Sequence, residues 1–359
     1  MQVYPCGQCG HLVFFDSMHC VRCGSTLAFV PEAMALCALE PAAEDSTALW
    51  QERSPAPGPA RYRLCTHRDD GGGCNFALPA HSPHHLCLAC RQTRMLPPLA
   101  DPLLRQHWAR IEAAKRQLFY TLARLGLQST ADSARAQDSP RYALLADQPG
   151  EPAILTGHQG GTITLNVAEA DDVERARRRQ ALHEPYRTLL GHLRHESGHF
   201  HWERLVLHGG RLEAFRALFG DERLDYAAAL SAHYAGGPPP DWQEQHVSAY
   251  AAAHPWEDWA ETWAHYLHMV DLLETAAAYD TALQVPGSDS PLREQVANPF
   301  TRPAPPFDTL VRQWVPLTLL LNSLNRSLGQ PDAYPFALSA GALRKLRFVH
   351  DAVRQTAED

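Results

Sequence analysis

Four things are missing from this sequence, and each absence closes off a class of function or structure. No stretch approaches the roughly 18 apolar residues of a membrane-spanning helix. The densest, WVPLTLLL at 314–321, is short and flanked by polar residues, so no contact with a membrane is expected. Positive charge is not in excess: the formal net charge is −8 and the pI about 6.2. Such a chain offers polyanions no general attraction, which counts against a nucleic-acid role. The opening MQVYPCGQCG has no basic segment leading into an apolar run, so no secretory leader is expected and the expected address is cytoplasmic. Cysteine, finally, is absent beyond residue 90, so disulfides spread through the whole fold are excluded.

What the chain does have is 359 residues, 45% of them apolar, enough for one sizeable core and a smaller companion module. All nine cysteines crowd into the first 90 positions. CGQC and CVRC place Cys6, Cys9, Cys20 and Cys23 in two knuckles, each on a tight turn helped by Gly10 or Gly24. That is zinc-ribbon spacing, and four thiolates make a closed tetrahedral shell. A second set, Cys65, Cys74, Cys87 and Cys90, has tight spacing only in its second half, CLAC. His67, His81, His84 and His85 compete there as ligands, with four cysteines favoured. Cys37 is left over as an ordinary thiol. One or two zinc ions are expected here in structural roles, holding together a segment with little apolar sequence.

Between the sets, QERSPAPGPARYR at 51–63 has the composition of a linker. Asp101 and Pro102 then open a long amphipathic helix, with Leu104, Trp108, Ile111, Leu118, Leu122 and Leu125 on its apolar face and Gly126 as its stop. The main domain boundary is placed just before it, giving modules at 1–97 and 98–359. From 143 to 167 two β-branched runs flank GHQGG as a hairpin would, and the rest reads as mostly helical. The order, a small sheet and then helices, is an α+β arrangement.

The chemistry lies in TLLGHLRHESGHFHWERL at 188–205, on a helix expected over roughly 184–207 with Tyr186, Leu189, Leu190 and Leu193 on its buried face. His195 and His199 are one turn apart and face the same way, as two ligands of one metal require. Glu196 is placed beside the metal, where it can take a proton from water without ligating. A catalytic zinc needs a third protein ligand and an open position. The helix HPWEDWAETWAHYLHMVDLLETAAAY at 254–279 supplies candidates: the strip His254, Glu257, Asp258, Glu261 and His265 repeats at three and four residues, beside an apolar surface of Trp256, Trp259, Trp263 and Tyr266.

Together, the ribbon, ILTGHQGGTITLNVAEADD, EPYRTLLGHLRHESGH and HPWEDWAETWAHYLH resemble a bacterial family of zinc-ribbon proteins with a zinc-binding metallopeptidase domain. The 254–279 helix also resembles the glutamate helix of gluzincin peptidases, whose ligand sits in a FAEAF-like core; WAETW puts Glu261 there. The resemblance implies a mainly helical zincin-like domain with a small sheet. In it one catalytic zinc would be held by His195, His199 and Glu261, with Glu196 as general base and Glu257 or Asp258 supporting a ligand histidine. The gap between His199 and Glu261 is longer than in the best-known gluzincins, so the choice among Glu257, Asp258 and Glu261 stays open. Oxyanion donors are sought in His254 and Tyr250, then in Tyr226 and Tyr234, and the 153–166 hairpin is a candidate edge for a substrate backbone. The activity implied is hydrolysis of a peptide or protein substrate with the ribbon used for docking. The alternative is a zinc-binding interaction module without turnover.

Overall fold

The computed structural model describes residues 2–42, 49–53, 60–131, 138–181, 188–284 and 293–358. Tyr186, the middle of the 51–63 linker and residues 184–187 of the family-like motif lie outside them. The chain divides into two compact units, Met1–Arg175 and Ala176–Asp359. Among the described residues no helix is long and apolar enough to cross a membrane.

In the first unit, strands β1 (Tyr4–Pro5) and β2 (Leu12–Val13) form a small ribbon around the first knuckle. Both knuckles close alike: Gly10 N–H donates to the Cys6 carbonyl and Gly24 N–H to the Cys20 carbonyl, each at 2.8 Å. These glycines have φ of 69° and 71°, a left-handed conformation that costs a side-chain-bearing residue about 1–2 kcal/mol.

Strands β3 (Thr26–Val30), β4 (Ala35–Pro41), β5 (Trp50–Glu52), β6 (Arg61–Leu64) and β7 (Ala77–Pro79) follow as one antiparallel sheet in sequence order. Its first and last strands also meet, through a bridge between Phe29 and Phe76, so the sheet curls back on itself. Phe15, Phe29 and Phe76 fill the centre, joined by Phe119 and Tyr120 from the helical segment downstream. Buried Arg68 donates to the carbonyls of Leu27 and Met18, tying the second cysteine set to the ribbon.

Helix α1 (Leu88–Arg91), strand β8 (Thr93–Met95) and helix α2 (Pro102–Arg124) come next. α2 begins as its sequence dictates, with Asp101 accepting from Leu103 and Leu104 N–H and Pro102 in the first turn. Trp108, Ile111, Leu118, Leu122 and Leu125 are buried, while Leu104 is only half-buried. Strands β9 (Arg141–Leu145), β10 (Gly157–Gln159) and β11 (Thr162–Asn166) complete a second sheet in the order β10-β11-β9-β8. The expected hairpin exists in a shorter form. Its turn is Gly160–Gly161, residues 157–159 pair as strand, and 153–156 do not pair. β11 then pairs parallel to β9, and β10 is an edge. Helix α3 (Asp172–Ala181) follows.

The second unit is helical: α4 (Leu189–Trp202), α5 (Leu212–Phe219), α6 (Tyr226–Gly236) and α7 (Pro255–Ala278), a small ribbon of β12 (Ala282–Leu283) with β13 (Glu294–Gln295), then α8 (Phe307–Ser327) and α9 (Ala340–Glu358). The order of sheets before helices makes the fold α+β. α4 starts at Thr188, whose hydroxyl accepts from Gly191 N–H, and gives way to a π-helical turn at Glu203–Leu207. α4 and α7 pack closely because position 198 is glycine: a Cβ there would lie 3.0 Å from the Ala260 Cα and the Trp263 ring. Two indoles stitch the same seam. Trp259 Nε1–H donates to the Gly198 carbonyl at 2.8 Å and Trp263 Nε1–H to the Ser197 hydroxyl at 3.0 Å, so neither buried donor is left unpaired. Of the four aromatics expected on the apolar face, Trp259, Trp263 and Tyr266 are buried; Trp256 is half-exposed and lies against the His199 ring.

Candidate metal centre

The sulfurs of the first unit gather in two groups of four, Cys6, Cys9, Cys20, Cys23 and Cys65, Cys74, Cys87, Cys90. Neither His67 nor His81, His84 or His85 belongs to the second. Sγ–Sγ distances are 3.8 Å for Cys6–Cys23, 3.6 Å for Cys9–Cys20, 3.7 Å for Cys74–Cys87 and 3.6 Å for Cys74–Cys90. A tetrahedron with metal–sulfur bonds of about 2.3 Å has edges of about 3.8 Å. A disulfide would bring two sulfurs to about 2.05 Å, and all nine cysteines are free. The two groups therefore fit zinc, each as a closed shell.

A third group lies in the second unit, where ligating atoms of His195, His199 and Glu257 all fall within 4.8 Å of one another. The two histidines share a face of α4 because they are four apart. Glu257 sits in the first turn of α7, where the helix dipole favours a carboxylate. One of its oxygens is 3.0 Å from His195 Nε2 and the other 3.5 Å from His199 Nε2. The Tyr226 hydroxyl, from the start of α6, donates to that second oxygen at 2.7 Å. Two imidazoles and one carboxylate are a donor set that suits zinc and leaves coordination positions open.

The charges in this group support one another. Burial alone would depress the His195 pKa, but hydrogen bonds and charge from Glu257 and Glu261 outweigh it and hold it well above the usual value. Burial would likewise raise Glu257, yet the charge of His199 and the bond and charge of His195 hold it at about 2.

Of the carboxylates among which the sequence left the third ligand open, Glu261 foremost, the structure gathers Glu257 with the two histidines. Glu261 accepts from His195 Nδ1 at 2.7 Å, so the two glutamates bracket the ring, with Glu257 on one nitrogen and Glu261 on the other. Only Glu257 meets the Nε2 atoms of both histidines. Asp258 is turned away: fully buried, it pairs with Lys345 of α9 and lies 3.2 Å from His246 Nδ1. Helix geometry explains the split, since neighbouring side chains project about 100° apart whereas residues four apart return to nearly the same face.

His254, sought as an oxyanion donor, is engaged elsewhere in this structure. Its Nδ1 accepts from Trp256 N–H as the cap of α7, and its Nε2 contacts the Leu224 carbonyl at 3.2 Å. Both nitrogens are spent on holding the helix start. His265, also in the strip, bonds the Tyr334 hydroxyl at 2.6 Å, and burial lowers its pKa to about 4. Tyr250 is brought to the group, its ring 6.0 Å from that of His195. Burial first and then the charge of Glu257 push its hydroxyl pKa up, so it remains a donor. Glu196, next to His195 in sequence, is buried on α4. Its charge contributes, after burial and Glu257, to raising the Tyr226 pKa.

Sequence reasoning missed Ser248, whose hydroxyl donates to Glu261 at 2.6 Å, and ranked Tyr226 low. Neither lies in a spacing pattern with the histidines, so no local signal marks them.

Fold and sulfur geometry define the class first: a zinc-binding protein with a cysteine-ribbon unit ahead of a helical one. The family follows from comparison. Residues 104–352 match the model of the family described as "Putative zinc-binding metallo-peptidase", and residues 3–101 match that of a zinc-ribbon domain. The chain belongs to that family. It is similar to uncharacterized proteins of Mycobacterium tuberculosis and Mycobacterium bovis, each 39% identical over 363 residues, covering 100% of this chain and 97% of the relative. No solved structure gives a significant match.

Proposed function

We propose that the protein is a zinc-dependent peptidase, with His195, His199 and Glu257 as ligands of the catalytic metal and Glu196 as general base. The observation that carries this is the contrast in donor sets. Eight sulfurs form two closed shells, whereas three mixed donors from two helices converge with a glutamate between the histidines. A metal meant only for structure has no need of an open position or of a carboxylate beside its ligands.

Bound zinc would supply polarisation of a peptide carbonyl and acidification of water. Glu196 takes the proton of the attacking water as its oxygen bonds to the carbonyl carbon, then delivers it to the departing amine as the C–N bond breaks. Tyr250 stands seven residues before Glu257 and keeps its proton, which suits it to donate to the developing oxyanion. The cysteine-rich unit, with closed shells, contributes docking of a peptide or protein substrate in this reading.

Zinc counting by elemental analysis tests the proposal. The wild type should hold three ions, and the His195→Ala, His199→Ala double variant two. Glu196→Gln should keep all three while losing cleavage of a peptide library by about 100-fold or more. A wild type that holds two, or a Glu196→Gln protein that cleaves normally, would overturn it.

A further inference from the structure

The candidate centre contains a chain of hydrogen bonds that begins outside both of its helices. Ser248 is 7% exposed and precedes the short 3-10 segment Tyr250–Ala253. Its hydroxyl oxygen accepts from Ala251 N–H at 3.1 Å, which fixes where the oxygen sits. The single proton of that hydroxyl goes to one oxygen of Glu261 at 2.6 Å. The other oxygen of Glu261 receives His195 Nδ1–H at 2.7 Å. Every member has a defined direction: backbone amide to serine, serine to carboxylate, and histidine to the same carboxylate.

We propose that Ser248 is a positioning residue for the metal centre, holding Glu261 in the rotamer that meets His195 Nδ1 and thereby fixing the ring whose Nε2 faces Glu257. The inference rests on the reading of His195 as a zinc ligand. Its physical basis is that packing encloses Glu261 only in part. The side chain keeps 21% exposure, so without an anchor its carboxylate has a route to solvent. Once it leaves, His195 Nδ1–H loses its acceptor, and neither the ring's orientation nor its tautomer is set. Acceptors of this kind on ligand histidines are worth about 10–100-fold in metal affinity.

The test is a competition titration of the full-length protein against a chromophoric zinc chelator. Ser248→Ala should weaken the third zinc by about 10–100-fold and leave the two cysteine-bound ions unchanged. Ser248→Thr, which keeps the hydroxyl, should restore most of the affinity. A cap on the 3-10 segment alone would be lost independently of Glu261, so the double variant discriminates. Ser248→Ala, Glu261→Ala should bind zinc no more weakly than Glu261→Ala alone. Unchanged affinity in Ser248→Ala, or losses that simply add, would overturn the proposal. Failure of the underlying reading looks different: the wild type would hold only two zinc ions, or Glu257→Ala would leave the third in place.

Discussion

Each cysteine cluster draws its four sulfurs from one short stretch, 6–23 or 65–90, whereas the His195, His199 and Glu257 group spans two helices far apart in the chain. Around the first cluster, the ribbon strands are two residues long, and each knuckle is closed by two backbone hydrogen bonds. The mixed group instead stands on a frame built by packing, with Trp259 and Trp263 wholly buried and their N–H groups bonded across the α4–α7 seam. We therefore expect metal binding to be part of folding in the first case and an addition to a fold already made in the second.

Stripping all zinc with a strong chelator gives the largest separation between the two regions. Hydrogen exchange should show protection lost through residues 2–42 and 60–95 and retained across 255–278. Equal loss in both would erase the distinction. A smaller effect reaches the frame directly. Asp258→Ala leaves Lys345 buried without its carboxylate and should cost about 3–5 kcal/mol in denaturant unfolding of the helical unit, with the cysteine-bound zinc content unchanged. A loss below about 1 kcal/mol would mean that the pair is not part of what holds the frame. The smallest effect is expected at Gly198→Ala, where the added methyl meets backbone across the seam. Overpacking of this kind should cost about 1–3 kcal/mol, read as a lower Tm, while zinc stoichiometry is preserved.

The same contrast explains what could be read without coordinates. Paired cysteines state their geometry locally, because two residues between two thiols leave few ways to share a metal. His195 and His199 are legible for the same reason, being one turn apart. The starts of α2 and α7 were also legible, since Asp101 with Pro102 and Pro255 mark first turns. Spacing could not choose among Glu257, Asp258 and Glu261, since that choice depends on how α7 is rotated against α4. The rotation is set by contacts that α7 makes with Gly198 and Lys345, both distant from it in sequence. His254 misled for a related reason: a histidine near a metal helix can equally be its cap. Ser248 and Tyr226 reach the site from separate segments, and their sequence positions carry no trace of it.

The buried pair between Asp258 and Lys345 also has a mechanical consequence. A helix lying on a neighbour has two soft degrees of freedom, rolling about its axis and sliding along it. Asp258 projects about 100° around α7 from Glu257, so its anchorage on α9 acts as a stop against rolling. The close approach at Gly198 acts as a detent against sliding. With both motions blocked, α4 and α7 behave as a single rigid jaw. α6, which brings Tyr226 to Glu257, contributes no buried residue and is the softer support of the group.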